Sequence, residues 1–194
     1  MKETLAFRRQ LCPERLITFR MIKTAFLLAC IFVLIAPARA QNSNELNWDA
    51  FRFLLGEWIG EGSGKPGEAT GSFSFSFDLE KKILVRKNYA NYPATKDKPA
   101  YSHTDLMIIY QEPATNITRA VYFDNEGHVI NYAVAFSNDN ARLIFTSEPS
   151  ASAPRFRFTY YKPNDGRLTF EFEIAPPGKS DAFAKYVQGS AHRK

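Results

Sequence analysis

Two histidines in strand-like segments are the side chains best suited to chemistry in this sequence. His103 is separated from Asp105 by one residue, and His128 follows a glycine. Because alternate residues of a β-strand share a face, His103 and Asp105 could form an imidazole–carboxylate pair for acid–base work near neutral pH. His128 could orient a ligand. The alternative for each histidine is a place on the rim, bonded to backbone or water.

Other catalytic patterns are missing from the sequence. The segment Gly62-Ser63-Gly64 lacks the G-x-S-x-G context of a nucleophile elbow, and no P-loop lysine and serine pattern follows it. A metal site would need a third ligand near the histidines, and the spacing supplies none. Arg155 and Arg157 could bind an acidic head group only if they pointed inward, and the aromatic residues between them favour the outward direction. We therefore predict no metal and no catalytic cluster, and favour a binding protein over an enzyme.

The first 40 residues have the features of a leader that is removed. Lys23 precedes an apolar run over residues 25–36, and Ala38-Arg39-Ala40 is a small-x-small cleavage site. The run is too short for a stable membrane span. Residues 1–20 are an arginine-rich extension, with Met21 as an alternative initiator, and Cys30 offers a second interpretation as a lipoprotein cysteine. We favour cleavage after Ala40 and predict an exported protein, periplasmic or secreted, without a membrane span.

Removal of this leader changes the charge balance of the chain. It carries seven of the 25 basic residues and two of the 20 acidic ones, so residues 41–194 carry 18 of each. The basic excess therefore belongs to the leader, and we predict no nucleic-acid partner. Both cysteines also lie in the leader, which leaves a core without disulfides. We predict that residues 41–194 form a single domain.

The hydrophobic pattern predicts a short helix followed by strands. Trp48, Phe51, Leu54 and Leu55 suit a short amphipathic helix that ends at Gly56. The period then changes to two, and short turns join the segments, which is typical of antiparallel neighbours. The predicted strands are residues 57–64, 72–77, 83–92, 101–111, 117–125, 128–137, 141–147, 154–162, 167–175 and 182–190.

The segment around Trp58 organises the predicted sheet. Trp58, Gly60, Gly62 and Gly64 share one strand face, and a face of glycines allows a neighbouring segment to approach closely or the strand to bend. Closing the meander into a barrel would remove its exposed edges. We predict an all-β, antiparallel, up-and-down barrel of about ten strands, with Trp58 at its closed end. Ten strands should leave room inside.

The pattern of a short helix, then Leu55-Gly56-x-Trp58-x-Gly60-x-Gly62-x-Gly64, then a meander of strands resembles the lipocalin-like (calycin) superfamily. It is most similar to the nitrobindin-like and fatty-acid-binding-like ten-stranded barrels and to their secreted relatives. The resemblance implies an apolar ligand or haem inside the barrel. In nitrobindin-like proteins a histidine of the final strand holds haem iron. The predicted final strand here lacks histidine, and we expect His192 to lie in a frayed chain end, so we predict no haem and no other cofactor.

Three hypotheses follow for the function. The first is a lipocalin-like module that binds a small apolar molecule inside the barrel without catalysis. The second is a hydrolase or isomerase that uses His103 and Asp105 at the barrel mouth, with His128 as a further candidate. The third is a filled barrel with a structural or interaction role. The predicted ligand-binding side chains are Trp58, Phe73, Phe75, Tyr101, His103, His128 and Tyr132.

Overall fold

The computed structural model describes residues 48–62, 68–113, 115–163 and 165–194. The predicted leader, with Met21, Cys30 and the cleavage site after Ala40, lies outside the described residues, as do Ser63 and Gly64. The described residues form a 3₁₀ helix, Trp48–Leu54, and ten strands. The strands are β1 (Gly56–Gly60), β2 (Thr70–Asp78), β3 (Ile83–Tyr92), β4 (Tyr101–Gln111), β5 (Thr118–Asp124), β6 (Val129–Phe136), β7 (Arg142–Ser147), β8 (Arg155–Tyr161), β9 (Arg167–Ala175) and β10 (Ala184–Arg193).

The ten strands close into an antiparallel barrel in which each strand pairs with its neighbours in the sequence. Strands β3 and β4 pair along their whole length, from Ile83 opposite Tyr110 to Tyr92 opposite Tyr101. The barrel closes where β1 meets β10, with Trp58 opposite Arg193. The predicted all-β, up-and-down barrel is thereby confirmed. Closure satisfies the backbone groups that an open meander would expose at its edges.

The 3₁₀ helix covers one end of the barrel. Its apolar residues Phe51 and Leu54 are buried against the core, and the indole Nε1 of Trp58 donates a 2.7 Å hydrogen bond to the carbonyl of Leu54. Trp58 is fully buried, and its ring stacks on Phe73 at 6.3 Å. This end of the barrel is therefore packed shut. Of the segments with described structure, none is a helix long and apolar enough to cross a membrane.

The final strand is longer at its carboxyl end than predicted. It runs to Arg193, and His192 pairs with Ile59 of β1. The expectation of a frayed His192 is wrong because the closing strand β1 supplies backbone partners that no local pattern reveals. The final strand thus does contain a histidine, so the absence of a histidine from this strand is no longer an argument against haem. However, Ala191 lies in the core and the adjacent His192 side chain is more than half exposed, since neighbouring strand residues face opposite sides.

The glycines after Trp58 permit a close backbone approach at one position. β1 ends at Gly60 rather than at residue 64. A Cβ atom built on Gly62 would lie 1.7 Å from the carbonyl oxygen of Ala69, whereas one on Gly60 would lie 3.4 Å from the carbonyl oxygen of Gly71. Gly62 therefore lets the segment that follows β1 approach the backbone of Ala69, just before β2, closely.

Replacing Gly62 with alanine should accordingly destabilise the protein by about 1–3 kcal/mol, because the two backbones would have to separate. The matched control is Gly60→Ala, for which the added methyl group makes an almost ordinary contact. Urea unfolding of both variants measures the difference. Equal stability of the two variants would show that the two backbones separate freely and that the close approach is not needed for stability.

Candidate functional site

Polar side chains line the inner wall of the barrel on β3, β4 and β5. Arg86 and Asn88 share the strand face of Leu84, which is fully buried in the core. On β4, Asp105 likewise shares the face of the buried Met107. Because side chains alternate across a sheet, these polar groups must point inward with their apolar neighbours.

A buried ion pair lies at the centre of this polar wall. Arg86 Nη1 pairs with Asp105 Oδ1, and the two residues are only 7% and 9% exposed. Asn88 Nδ2 donates a 2.8 Å hydrogen bond to the other oxygen of Asp105. Burial by itself would raise the pKa of Asp105, but the charge of Arg86 and the hydrogen bonds from His103 and Asn88 outweigh it and hold the pKa below its usual value. Asp105 is therefore a carboxylate at neutral pH.

His103 extends the network toward the barrel mouth. Its Nε2 lies 3.3 Å from Asp105 Oδ2 and 3.1 Å from the Tyr122 hydroxyl oxygen, while Nδ1 lies 2.9 Å from Glu126 Oε1. The hydrogen bond with Asp105 raises the pKa of His103 to about 9; desolvation opposes this rise and Glu126 adds to it. Both ring nitrogens thus face acceptors. His103 is an imidazolium at neutral pH, and each N–H donates.

Tyr122 links His103 to the second histidine. Its hydroxyl donates to Asp124 Oδ2 at 3.2 Å, and His128 Nδ1 lies 2.8 Å from the same oxygen. The backbone N–H groups of Glu126 and His128 donate to Asp124 Oδ1. The two histidines therefore belong to one hydrogen-bonded chain that runs from the interior to the turn between β5 and β6, where the His128 side chain is 59% exposed.

Aromatic rings form the facing wall of the barrel on β8 and β9. Phe158 stacks on Phe170 at 6.0 Å, and Phe156 stacks on Phe172 at 5.8 Å. The Arg86 guanidinium lies 5.7 Å from the Phe158 ring, so the two walls meet in the interior. These four rings are only half-buried, unlike the sealed end around Trp58. Solvent can therefore reach the inner surface from the mouth side.

The predicted ligand-binding residues are distributed along the barrel axis. Phe73, Phe75 and Tyr132 are buried. The ring of Phe73 lies 5.5 Å from the Arg86 guanidinium. Trp58 lies deeper, at the packed end. Tyr101 lies at the mouth, 47% exposed and stacked on Tyr92 at 4.6 Å. Arg155 and Arg157 do not reach the interior; Arg157 instead pairs with Glu173, which is on the outer face.

Sequence reasoning did not identify Arg86, Asn88, Tyr122 or Tyr160 as site residues. The available signal was a charged residue in phase with apolar ones, as in Leu84-x-Arg86-x-Asn88. A positive side chain on a buried face needs a partner. Its partner Asp105 lies 19 residues further along the chain, too far for a local pattern to reveal.

A second cluster of polar groups lies outside the barrel and has a structural explanation. Glu61, just after β1, accepts hydrogen bonds from Arg167 Nε at 2.8 Å and from the Ser190 hydroxyl at 2.5 Å. Glu61 and Arg167, together with Asp165 and His192, border a shallow surface depression. The contacts tie the end of β1 to β9 and β10 and so secure the closure of the barrel.

The charge on His103 should make stability depend on pH. Its pKa is raised from 6.5 to about 9, so its contribution is complete below pH 6.5 and is lost as the pH rises through 9. Allowing for partial solvent screening, we expect a loss of about 1.5 kcal/mol over this window. Urea unfolding at intervals of half a pH unit measures it. His103→Gln should flatten the slope and His128→Gln should retain it; an unchanged slope in His103→Gln would contradict the assignment.

Within the described ranges, no three His, Cys, Asp or Glu side chains are grouped so that they could hold a metal ion.

The comparisons with known proteins add no family. No protein-family model matches the chain, and no curated protein is similar to it. The closed ten-stranded antiparallel barrel is compatible with a calycin-like fold, and the site has to be interpreted from its own geometry.

Proposed function

We propose that this protein is an exported, lipocalin-like binding module that holds a small, largely apolar molecule inside the barrel, in the periplasm or outside the cell. The observation that carries the proposal is the contrast between the two ends of the interior. Trp58 and Leu54 seal one end with no exposure, whereas inward-facing aromatic rings near the mouth remain half-buried. Half-buried rings in a concave surface are the usual lining of a small-molecule site.

The two walls suit different parts of one ligand. Stacked rings such as Phe158 and Phe170 offer apolar area, and each Å² removed from water contributes about 25 cal/mol. The network of Arg86, Asp105 and His103 offers fixed polar groups that can orient the molecule. Its members are held by one another, so they are already in position before a ligand enters.

Binding can be tested on the purified protein with a panel of fatty alcohols, retinoids, aromatic dyes and haem. We expect at least one class to raise the melting temperature and to bind with measurable affinity by calorimetry. Phe158→Ala should weaken that binding about tenfold, because it removes ring contact area inside the barrel. Tyr89→Ala is the matched control, since Tyr89 alternates with Asn88 and is exposed on the outer face.

Two results would overturn the proposal. One is the absence of binding across the whole panel, together with native mass spectra that show no molecule retained by protein purified from its own compartment. The other is equal loss of affinity in Phe158→Ala and Tyr89→Ala, which would place the binding on the outer surface. The latter result would favour the third hypothesis, a filled barrel that acts through its exterior.

The convergence of the histidines favours a second candidate, a hydrolase or isomerase. His103 and His128 meet in one network through Tyr122 and Asp124. The imidazolium state of His103 suits a general acid rather than a general base at neutral pH. Turnover of ester and enol substrates should then fall at least a hundredfold in His103→Gln. The residual turnover of this variant should no longer decline as the pH rises through about 9. No turnover in the wild-type protein would eliminate this candidate.

A further inference from the structure

Two buried polar groups near the Arg86–Asp105 pair have no hydrogen-bond partner among the residues that the structure describes. These are the Arg86 Nε–H and the Tyr160 hydroxyl. Tyr160 is fully buried, and its ring contacts Phe158 at 4.8 Å and Phe73 at 6.2 Å. Most buried polar groups in proteins are paired, so two unpaired ones in the same cluster require an explanation.

Both groups are available as donors. An arginine Nε–H can only donate, and Nη1 of the same guanidinium is already engaged by Asp105. Burial raises the pKa of Tyr160 to about 12, so its hydroxyl keeps its proton. Arg86 and Tyr160 are close enough for a side-chain interaction between them to contribute to the pKa of each, but neither Arg86 Nε–H nor the Tyr160 hydroxyl has the geometry of a hydrogen bond with another described residue. The cluster therefore lacks one acceptor that both donors could share.

The charges around this position are already balanced. Asp105 neutralises Arg86, and the Glu126 carboxylate pairs with the imidazolium of His103. The Asp124 carboxylate lies further out, with His128. A carboxylate on a ligand would bring an additional buried negative charge without a free cation to pair with it, and burying an unpaired charge is costly. A neutral oxygen acceptor has no such cost.

We propose that the ligand carries a neutral carbonyl oxygen, as in a ketone, aldehyde, ester or amide, which accepts hydrogen bonds from Tyr160 Oη–H and Arg86 Nε–H. The apolar remainder of the molecule lies against the half-buried rings of β8 and β9. This inference rests on the proposed function, and it specifies the chemical class of the ligand.

The test uses four ligands of one long-chain skeleton: the alkane, the methyl ketone, the methyl ester and the carboxylic acid. We expect the ketone and the ester to bind at least tenfold tighter than the alkane and the acid, as measured by competition with a bound dye. In Tyr160→Phe the ketone should lose about tenfold in affinity, whereas the alkane should bind unchanged. Tyr161→Phe is the matched control, because that hydroxyl donates to Glu171 and its ring takes the opposite face of the same strand.

Infrared spectroscopy of a ¹³C-labelled ketone supplies a second, independent measurement. The carbonyl stretch should shift to lower frequency in the wild-type protein and return toward its value in hydrocarbon in Tyr160→Phe. Since the Tyr160 hydroxyl has no hydrogen-bond partner within the described part of the chain, Tyr160→Phe should melt no lower than the wild type. If this variant fails to fold, the infrared shift in the wild-type protein alone decides: an unshifted band overturns the inference.

The two proposals fail in different ways. If none of the four ligands binds to the wild type, and the wider panel is also silent, the proposed function is overturned. If the series binds with equal affinity, or the acid binds most tightly, or Tyr160→Phe leaves ketone binding unchanged, the barrel still binds small molecules. In each of those cases the carbonyl assignment is wrong.

Discussion

Removing the charge of Asp105 is expected to destabilise the protein by about 3–5 kcal/mol in Asp105→Leu, because the Arg86 guanidinium would remain buried without a counter-ion. Arg86 is only 7% exposed, and its guanidinium lies 5.5 and 5.7 Å from the rings of Phe73 and Phe158. Asn88 and His103 would also lose the carboxylate that holds them. Chemical denaturation of the purified variant measures the loss.

The double variant Arg86→Met/Asp105→Leu separates the cost of an unpaired charge from the net contribution of the pair. Replacing both charges by apolar groups of similar size should restore most of the stability lost in the single variant, since a buried ion pair contributes little beyond its own desolvation. Glu173→Leu is the matched control on the outer face, where Arg157 is 35% exposed; we expect it to cost less than about 1 kcal/mol. A double variant no more stable than Asp105→Leu would show that the pair is a net source of stability.

Truncating Trp58 should have a comparable effect at the sealed end. Trp58→Ala is expected to cost about 3–5 kcal/mol, because a fully buried ring leaves a large cavity. The indole also donates a hydrogen bond to the Leu54 carbonyl, and the Arg193 guanidinium lies 4.5 Å from its ring. Trp58 therefore joins the helix to the closing strand β10. Urea unfolding monitored by circular dichroism gives the free energy of unfolding.

Trp48→Ala provides the control for this second prediction. Trp48 is only half-buried, although its indole Nε1 donates to the Lys81 carbonyl at 2.6 Å. Its removal should therefore cost clearly less than removal of Trp58. If the two variants were equally stable, the indole of Trp58 would not be the main closure of this end of the barrel.

Much of the fold could be predicted because its signals are local. Phe73, Phe75 and Phe77 alternate with serines, and short polar turns follow most of the strands, so strand periodicity and antiparallel order are both visible within about ten residues. The bounds of β3 and β4 agree with the prediction, Ile83–Tyr92 and Tyr101–Gln111. The predicted bounds differ from the structure at β1 and β10, which meet only when the barrel closes, and at β2, which begins earlier than predicted, at Thr70.

Half of the candidate site was visible in the sequence and half was not. The spacing of His103 and Asp105 placed them on one strand face, and the structure brings them within 3.3 Å. Arg86 and Tyr122 were not recognised, because each gains its role from a residue on another strand. The register of β3 against β4 and of β4 against β5 brings them to Asp105 and His103, and register depends on the turn geometry and on the pattern of both paired strands rather than on one segment alone.

Local periodicity and turn chemistry thus determined the strand order, the all-β class and the short helix before Trp58. Only the tertiary structure decided that β3 turns Arg86 inward, that His192 belongs to a strand but faces outward, and that two histidines 25 positions apart share one network. The physical reason is the same in each case. A strand with polar groups on both faces does not specify which face is buried, and the choice depends on long-range pairing that supplies the counter-ion and the hydrogen-bond partners.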